Sequence, residues 1–244
     1  MEPYAREELL ACTLARLIGD AAHVAVGAAS PIPATACMLL RERNGGRPRL
    51  SLLHRRRGNP FTEGSRELFD LAGQGRIDVF FLGGAQIDGE ANINLVGTGA
   101  YPRVEARFPG SFGSAFMYFA AKRTILFREE HSKRVLVPKV DFVSAPGWSP
   151  PEVWRAGGPQ ALVTGKAIFA WQPEKRRFRL ESVHPGHTAV EIREHTGFDY
   201  DAAAHIAVTA EPTPEELALL HGPVGREIAS NYPDFARRVW GIAG

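Results

Sequence analysis

Two glycine-bearing loops and one basic turn hold the residues whose types and spacing suit chemistry. Residues 77–82 (IDVFFL) form an apolar run of the length and content of a buried strand. The chain then breaks into a segment with Gly83, Gly84, Gly89, Gly97 and Gly99, among which stand Gln86, Asp88, Asn92 and Asn94. Glycines after a buried strand let backbone approach a ligand and leave N–H donors uncovered. In open α/β sheets ligands bind at the carboxyl ends of strands. A turn-rich connector that binds nothing fits the same pattern. Further on, Pro109-Gly110-Ser111-Phe112-Gly113 brackets Ser111 with glycines, so the amides there can converge on an anion or oxyanion. Ser111 lacks the G-x-S-x-G spacing of a nucleophile elbow, and Pro102 stands where a dinucleotide fingerprint after Gly97 and Gly99 needs its third glycine. His54 and Arg55-Arg56-Arg57 follow another apolar run, 50–53. His54 has a side chain suited to a general base, although a histidine at a strand end is commonly just hydrogen-bonded.

The elements that must position these residues read as an open α/β fold: a mostly parallel sheet flanked by helices, with an antiparallel hairpin in the C-terminal half. Helices are expected over 7–18, 33–42 and 62–71, with Thr62 as the last one's N-cap and Ser65 a weaker alternative, and strands over 23–28 and 50–53. That alternation implies parallel strands with right-handed crossovers. A helix is expected at 114–121, then strands at 124–128 and 135–142, and a loop at 146–159. Runs 161–171 and 178–184 read as the hairpin, joined by Pro173-Glu174-Lys175-Arg176. A short helix (188–194), a short strand (206–208), a helix opening at Thr213-Pro214 and a tail helix (234–240) complete the pattern. Neither a repeat nor a linker divides the 244 residues, so a single domain is expected.

Bulk properties narrow the function classes. A net charge of +2, with basic residues scattered and no aromatic interleaving, argues against nucleic acid. No apolar run approaches the ~20 residues of a membrane span, and the early acidic, amphipathic N-terminus is unlike a signal peptide. A cytoplasmic location is the expectation. Cys12 and Cys37 sit in apolar helical contexts as buried free thiols rather than a disulfide. His184, His187 and His195 suggest a metal, but His184 and His187 straddle Pro185-Gly186 and no further ligand falls at a typical offset, so no metal site is expected.

Three blocks of the sequence resemble one family. GGAQIDGEANIN and RFPGSFGS (83–94 and 107–114) are similar to the GGAQVD-x-x-GNIN and LPGSGG signatures of the β subunits of class I CoA-transferases, the glutaconate and 3-oxoacid type. HSKRVLVPKVDFVSAPGW (131–148) resembles that family's H-x-K-R-x-F-V-E-K-V-D-F-I-T-S-P-G-Y, and SVHPGHTAVEIREHTGF (182–198) its HPG-x-T-x-x-x-V-x-x-x-T-G-F. The resemblance implies an acyl-CoA thioester as substrate, no permanently bound cofactor, and an α-type partner subunit that completes the site. It also implies a nucleophilic glutamate in a turn after the 50–53 strand. Aligning Gly58 with that turn's glycine puts Arg56 where the glutamate should be. A guanidinium is permanently protonated and is no nucleophile.

That departure points away from ordinary CoA transfer by this chain alone. It matches the heteromeric hydrolases of the superfamily that open the last ring of steroid CoA thioesters, whose β subunits lack the glutamate. No residue of this chain is therefore assigned as catalytic, His54 being the one candidate. Candidate substrate-binding residues are Arg56, Gly84, Gln86, Asn92, Gly110, Ser111 and Gly113. The arginines suit a carboxylate or a CoA phosphate, or else form a solvated loop. Phe112 replaces a family glycine and would narrow the site or cover a thioester arm. A non-catalytic acyl-CoA-binding or scaffold subunit is the alternative reading.

Overall fold

The computed structural model describes residues 4–53, 55, 59 and 61–242. Helix α1 (Arg6–Ile18) buries Leu9, Leu10, Leu14 and Ile18 and stops at Gly19, whose φ of 59° glycine adopts at little cost. Strand β1 (His23–Val26) leads into α2 (Pro31–Arg43), which opens on a proline, and β2 (Arg49–Leu52) pairs parallel with β1, Val24 opposite Leu50. This is the parallel β–α–β unit expected. His23 Nε2 and Ser51 Oγ share a buried hydrogen bond of 2.8 Å across the two strands. Cys12 and Cys37 are buried free thiols on α1 and α2, and burial pushes Cys12 up to about 12.

Helix α3 (Ser65–Gly73) corrects one expectation. Thr62 is not its N-cap. The Glu67 carboxylate reaches back and accepts from the Thr62 N–H (2.8 Å), the Thr62 hydroxyl (2.7 Å) and the Glu63 N–H (2.8 Å), so the helix begins later, after Gly64. Asp78 Oδ2 accepts from the N–H groups of Ala22 and His23 (2.8 and 2.9 Å), which sets the start of β3 (Val79–Leu82) beside β1.

The chain divides into two compact units, Met1–Val79 with Ala210–Gly244, and Phe80–Thr209. The second opens with two small antiparallel pairs, β4 (Gln86–Ile87) with β5 (Ile93–Asn94) and β6 (Gly97–Thr98) with β7 (Ala106–Arg107). Helix α4 (Ser114–Ala120) and β8 (Arg123–Arg128) follow, then β9 (Pro159–Thr164), β10 (Ala167–Gln172), β11 (Arg177–Val183), α5 (Ala189–His195) and β12 (Asp201–Val208). The strands lie in the order β12-β11-β10-β9-β8. The pairs β8–β9 and β11–β12 are parallel, while β9–β10 and β10–β11 are antiparallel. Phe169, Phe178, Phe198 and Tyr200 pack tilted or edge to face in the core, with ring centroids 5.1–6.3 Å apart.

Three expected strands differ. The run 161–171 is split between β9 and β10 by a turn at Gly165-Lys166, so the hairpin is a three-stranded meander. A Cβ on Gly165 would lie 2.4 Å from the Glu129 carbonyl oxygen, which is why a glycine turns the chain there. Residues 135–142 are not a regular strand. Ile87 N–H donates to the Val135 carbonyl and Val137 N–H to the Ile87 carbonyl, one bridge before Pro138 interrupts the ladder. Strand β12 is longer than expected and mostly exposed.

Helices α6 (Pro214–Leu219), α7 (Gly225–Asn231) and α8 (Pro233–Trp240) return to the first unit. At the start of α6 the Thr213 hydroxyl accepts from the Glu216 N–H and Glu216 Oε2 accepts from the Thr213 N–H, the expected capping box. The Glu216 side chain, 3% exposed, also meets Arg16 at 2.6 Å and Arg43 at 2.9 Å. No described helix is long and apolar enough to cross a membrane.

Candidate functional site

The segment 83–98 is fastened by its own side chains. Asp88 caps the turn between β4 and β5: Oδ1 accepts from the N–H groups of Glu90 (3.1 Å) and Asn92 (3.0 Å), and Oδ2 accepts from Asn92 Nδ2 (3.1 Å). Asn94, fully buried, donates from Nδ2 to Gln86 Oε1 (2.7 Å) and to the Gly97 carbonyl (2.8 Å), while its Oδ1 accepts from the Val96 N–H (2.9 Å). Gln86 Nε2 donates to Asp141 Oδ2, which also accepts from the Gly99 N–H (2.9 Å). Asn92 Oδ1 accepts from the Gly147 N–H (3.1 Å). The amides of Gln86 and Asn92 are thus occupied in fastening 83–99 to 141–147. A Cβ on Gly84 would stand 2.7 Å from the Gln86 carbonyl oxygen, so Gly84 serves close packing.

The second loop has the opposite character. Gly110 (φ 122°) and Gly113 (φ 70°) flank Ser111 and Phe112, and a Cβ on Gly110 would meet nothing within 4 Å. The Ser111 carbonyl accepts from the N–H (3.1 Å) and the hydroxyl (2.8 Å) of Ser114. Among the described residues the N–H groups of Ser111 and Gly113 have no acceptor. The Phe112 side chain is 84% exposed, and Phe116 beyond it is half exposed. Unclaimed amides beside open space can receive a negative oxygen at no reorganisation cost.

Sequence reasoning missed the supports of this region. Tyr118 on α4, fully buried, donates its hydroxyl to the Ala91 carbonyl at 3.0 Å, and burial pushes its ionisation up. Arg155 lies over the rings of Tyr118 and Phe119, 4.8 and 4.5 Å from the centroids, and donates to the Tyr118 carbonyl. Gly147 allows the close crossing, since a Cβ there would lie 2.2 Å from the Glu90 carbonyl oxygen. The Tyr118 hydroxyl is the one available signal: a phenol inside an apolar helix needs a partner.

The basic turn is only partly described. His54, Arg56 and Arg57 lie outside the described residues. Arg55 is half-buried and pairs with Glu227 at 3.4 Å, a carboxylate that also holds Arg41. The histidines are each held separately. His184 Nε2–H donates to the Thr164 carbonyl (3.0 Å), His187 Nδ1 meets Glu191 (2.9 Å), and His195 Nδ1–H donates to the Glu191 carbonyl (2.8 Å). Hydrogen bonds from Lys166 and His187 hold the Glu191 carboxyl down to about 2.

The family model described as Coenzyme A transferase matches residues 8–195. The chain is 33% identical over 149 residues to the B-type subunit of glutaconate CoA-transferase from Acidaminococcus fermentans, a match covering 58% of this chain and 55% of that protein. It is 31% identical over 159 residues to the cholesterol ring-cleaving hydrolase IpdB subunit of Rhodococcus jostii, covering 64% and 62%. The chain therefore spans less than two thirds of the length of these relatives. Among solved structures, IpdAB of Rhodococcus jostii RHA1 superposes with a TM-score of 0.78 at 26% identity, over 90% of this chain and 94% of that one.

Proposed function

The chain belongs to the coenzyme A transferase family, and from that premise we propose that it is the B-type subunit of a two-chain enzyme acting on an acyl-CoA thioester. The observation that carries this reading is the open loop at Gly110–Gly113, where the Ser111 and Gly113 amides have no internal acceptor among the described residues. A thioester carbonyl seated there gains two donors as its oxygen becomes an oxyanion. The face left open is closed by an A-type partner, which brings the carboxylate that activates water. Water, losing its proton to that carboxylate, adds to the thioester carbonyl carbon, the oxyanion forms at the two amides, and its collapse expels the thiolate. For a C–C substrate water adds instead to a ketone carbonyl β to the thioester, and collapse breaks the C–C bond to give a carboxylic acid and a thioester enolate that takes up a proton.

With Gly58 aligned to the family's turn glycine, Arg56 takes the place of the transferases' glutamate, and that reading favours hydrolysis over transfer. A cation there can hold a substrate carboxylate but cannot form an acyl anhydride or a glutamyl thioester. The relatives' names span both outcomes, a glutaconate CoA-transferase and a cholesterol ring-cleaving hydrolase. One observation favours a second reading, in which this chain binds acyl-CoA without contributing a catalytic group: the side chains of Gln86, Asp88, Asn92 and Asn94 are all engaged in internal bonds.

Co-expression with an A-type chain, followed by a screen of cyclic and linear acyl-CoA esters, tests both. Release of free CoA without an acceptor acid, or conversion of a cyclic ester to a chain-opened acyl-CoA with its thioester intact, and no borohydride-reducible glutamyl adduct on this polypeptide by mass spectrometry, is the expected result. A modified glutamate here would return the chain to the transferases. Binding without turnover, in a complex whose A-type chain is active elsewhere, would favour the second reading.

A further inference from the structure

A cleft of about 750 Å³ opens in the second unit, between the Asp88–Asn92 turn, the β10–β11 turn and the end of α5. That volume falls in the range of small-molecule sites, about 300–1,000 Å³. Its walls carry Lys139, Lys175, Arg176, Arg177 and Arg193. Lys175 and Arg177 share Asp201, at 2.8 and 3.1 Å. The Asp88 carboxylate is spent on the backbone of its own turn. Among the described residues Lys139 and Arg176 have no carboxylate partner.

Arg176 is the informative residue. Its backbone is left-handed, φ 52° and ψ 44°, at the end of the single turn Pro173–Lys175. Glycine or asparagine would take that conformation at less cost, yet a long cationic side chain occupies it. The guanidinium carbon lies over the Trp148 ring, 3.5 Å from its centroid. A second arginine of the cleft, Arg193, is braced in the same way over Tyr200 at 3.8 Å. A guanidinium stacked on an aromatic ring keeps its other face for a planar group and its N–H rim for phosphate oxygens.

We propose that this cleft binds a nucleotide, Arg176 taking a phosphate or the face of the base and Lys139 adding charge. The nucleotide has two sources with the same chemistry. One is the nucleotide end of a CoA thioester, which rests on the function proposed above; the other is a free nucleotide, which does not.

The test is calorimetry on the full chain with adenosine 3′,5′-bisphosphate, inorganic phosphate and an acyl-pantetheine thioester. Arg176→Gly suits the left-handed backbone, so it should melt no lower than the unaltered chain while weakening the bisphosphate about tenfold or more. Arg176→Lys should recover part of the loss, and acyl-pantetheine binding should not change. Equal bisphosphate affinity in the unaltered chain and Arg176→Gly, or no binding by the unaltered chain at millimolar concentration, overturns the site. Competition between CoA and the bisphosphate identifies the first source, and independent binding the second. Turnover of acyl-pantetheine by the assembled enzyme tests the acyl-CoA function alone, so failure of the cleft and failure of that function are read separately.

Discussion

Asn94 and Gln86, on the facing strands β5 and β4, are joined by a buried 2.7 Å hydrogen bond from Nδ2 to Oε1. Through Gln86 the bond reaches Asp141, since Gln86 Oε1 also accepts from the Asp141 N–H at 3.0 Å. Two segments far apart in sequence are thereby fixed by one amide pair.

Asn94→Ala leaves the Gly97 carbonyl and the Val96 N–H without their partner in a place water does not reach. The expected cost is about 2–4 kcal/mol, from two or more unsatisfied buried groups. Urea unfolding measures it, and a loss under about half a kcal/mol would mean the loop re-pairs elsewhere.

Such a network is legible in the sequence only where its parts are local. Gly110 and Gly113 stand out as glycines, and both take the positive φ that a glycine-bracketed turn calls for. The capping box at Thr213 and the parallel β1–β2 pair are also readable, because each depends on residues close in sequence. Residues 135–142 are not, since alternation in VLVPKVDF says nothing of which segment it meets. Ile87 supplies one bridge and Pro138 ends it. The early start of strand β12 is hidden because alanine has low strand propensity, and the pairing of Ala202 with Leu180 on β11 overrides it, before the register shifts ahead of Ala207. Gln86 and Asn92 read as ligand amides because sequence cannot show which partners already claim a side chain.

Gly110→Val and Gly147→Val should separate binding from folding. At Gly110 there is space but a φ of 122°, so the loop must shift, at a cost of about 1–3 kcal/mol, with acyl-CoA binding by the assembled complex lost. At Gly147 the new side chain meets the backbone of Glu90 and Ala91, and little folded protein is expected. Melting curves with binding isotherms check both; normal affinity in Gly110→Val would remove that loop from the site.

Burial pushes His131 and His184 down to about 4, from an ordinary value near 6.5. The unfolded chain then takes up protons below pH 6.5 while the folded chain does not until about pH 4. Stability is full above pH 6.5 and falls as the pH drops toward 4, by roughly 3 kcal/mol per histidine. Unfolding at about pH 7.5, 5.5 and 4.5 should show this slope, reduced in His184→Gln. A flat profile above about pH 4.5 would count against buried neutral histidines.

Glu216→Ala removes a carboxylate shared by Arg16, Arg43 and the α6 cap. The expected loss is about 3–5 kcal/mol, the scale of breaking a buried ion pair from one side. Thr213→Ala, which removes only the cap, should cost about 1 kcal/mol. Similar losses for the two variants, by chemical denaturation, would show that the ion pairs add nothing to the cap.

Strand β12 ends the strand order of its unit, bonded to β11 on one side. Along such a strand successive residues turn their N–H and C=O groups alternately toward the neighbour and away from it. In deuterated solvent the free chain should therefore carry a comb of labels at the paired ends of the strand, Asp201–Ala202 and Ala207–Val208, broken by the register shift between them. Amides turned to β11 should keep their protons as long as that pair holds, while those between them exchange almost at once. A partner that covered this edge would erase the comb residue by residue, so the isotope pattern along the strand reports any contact made there.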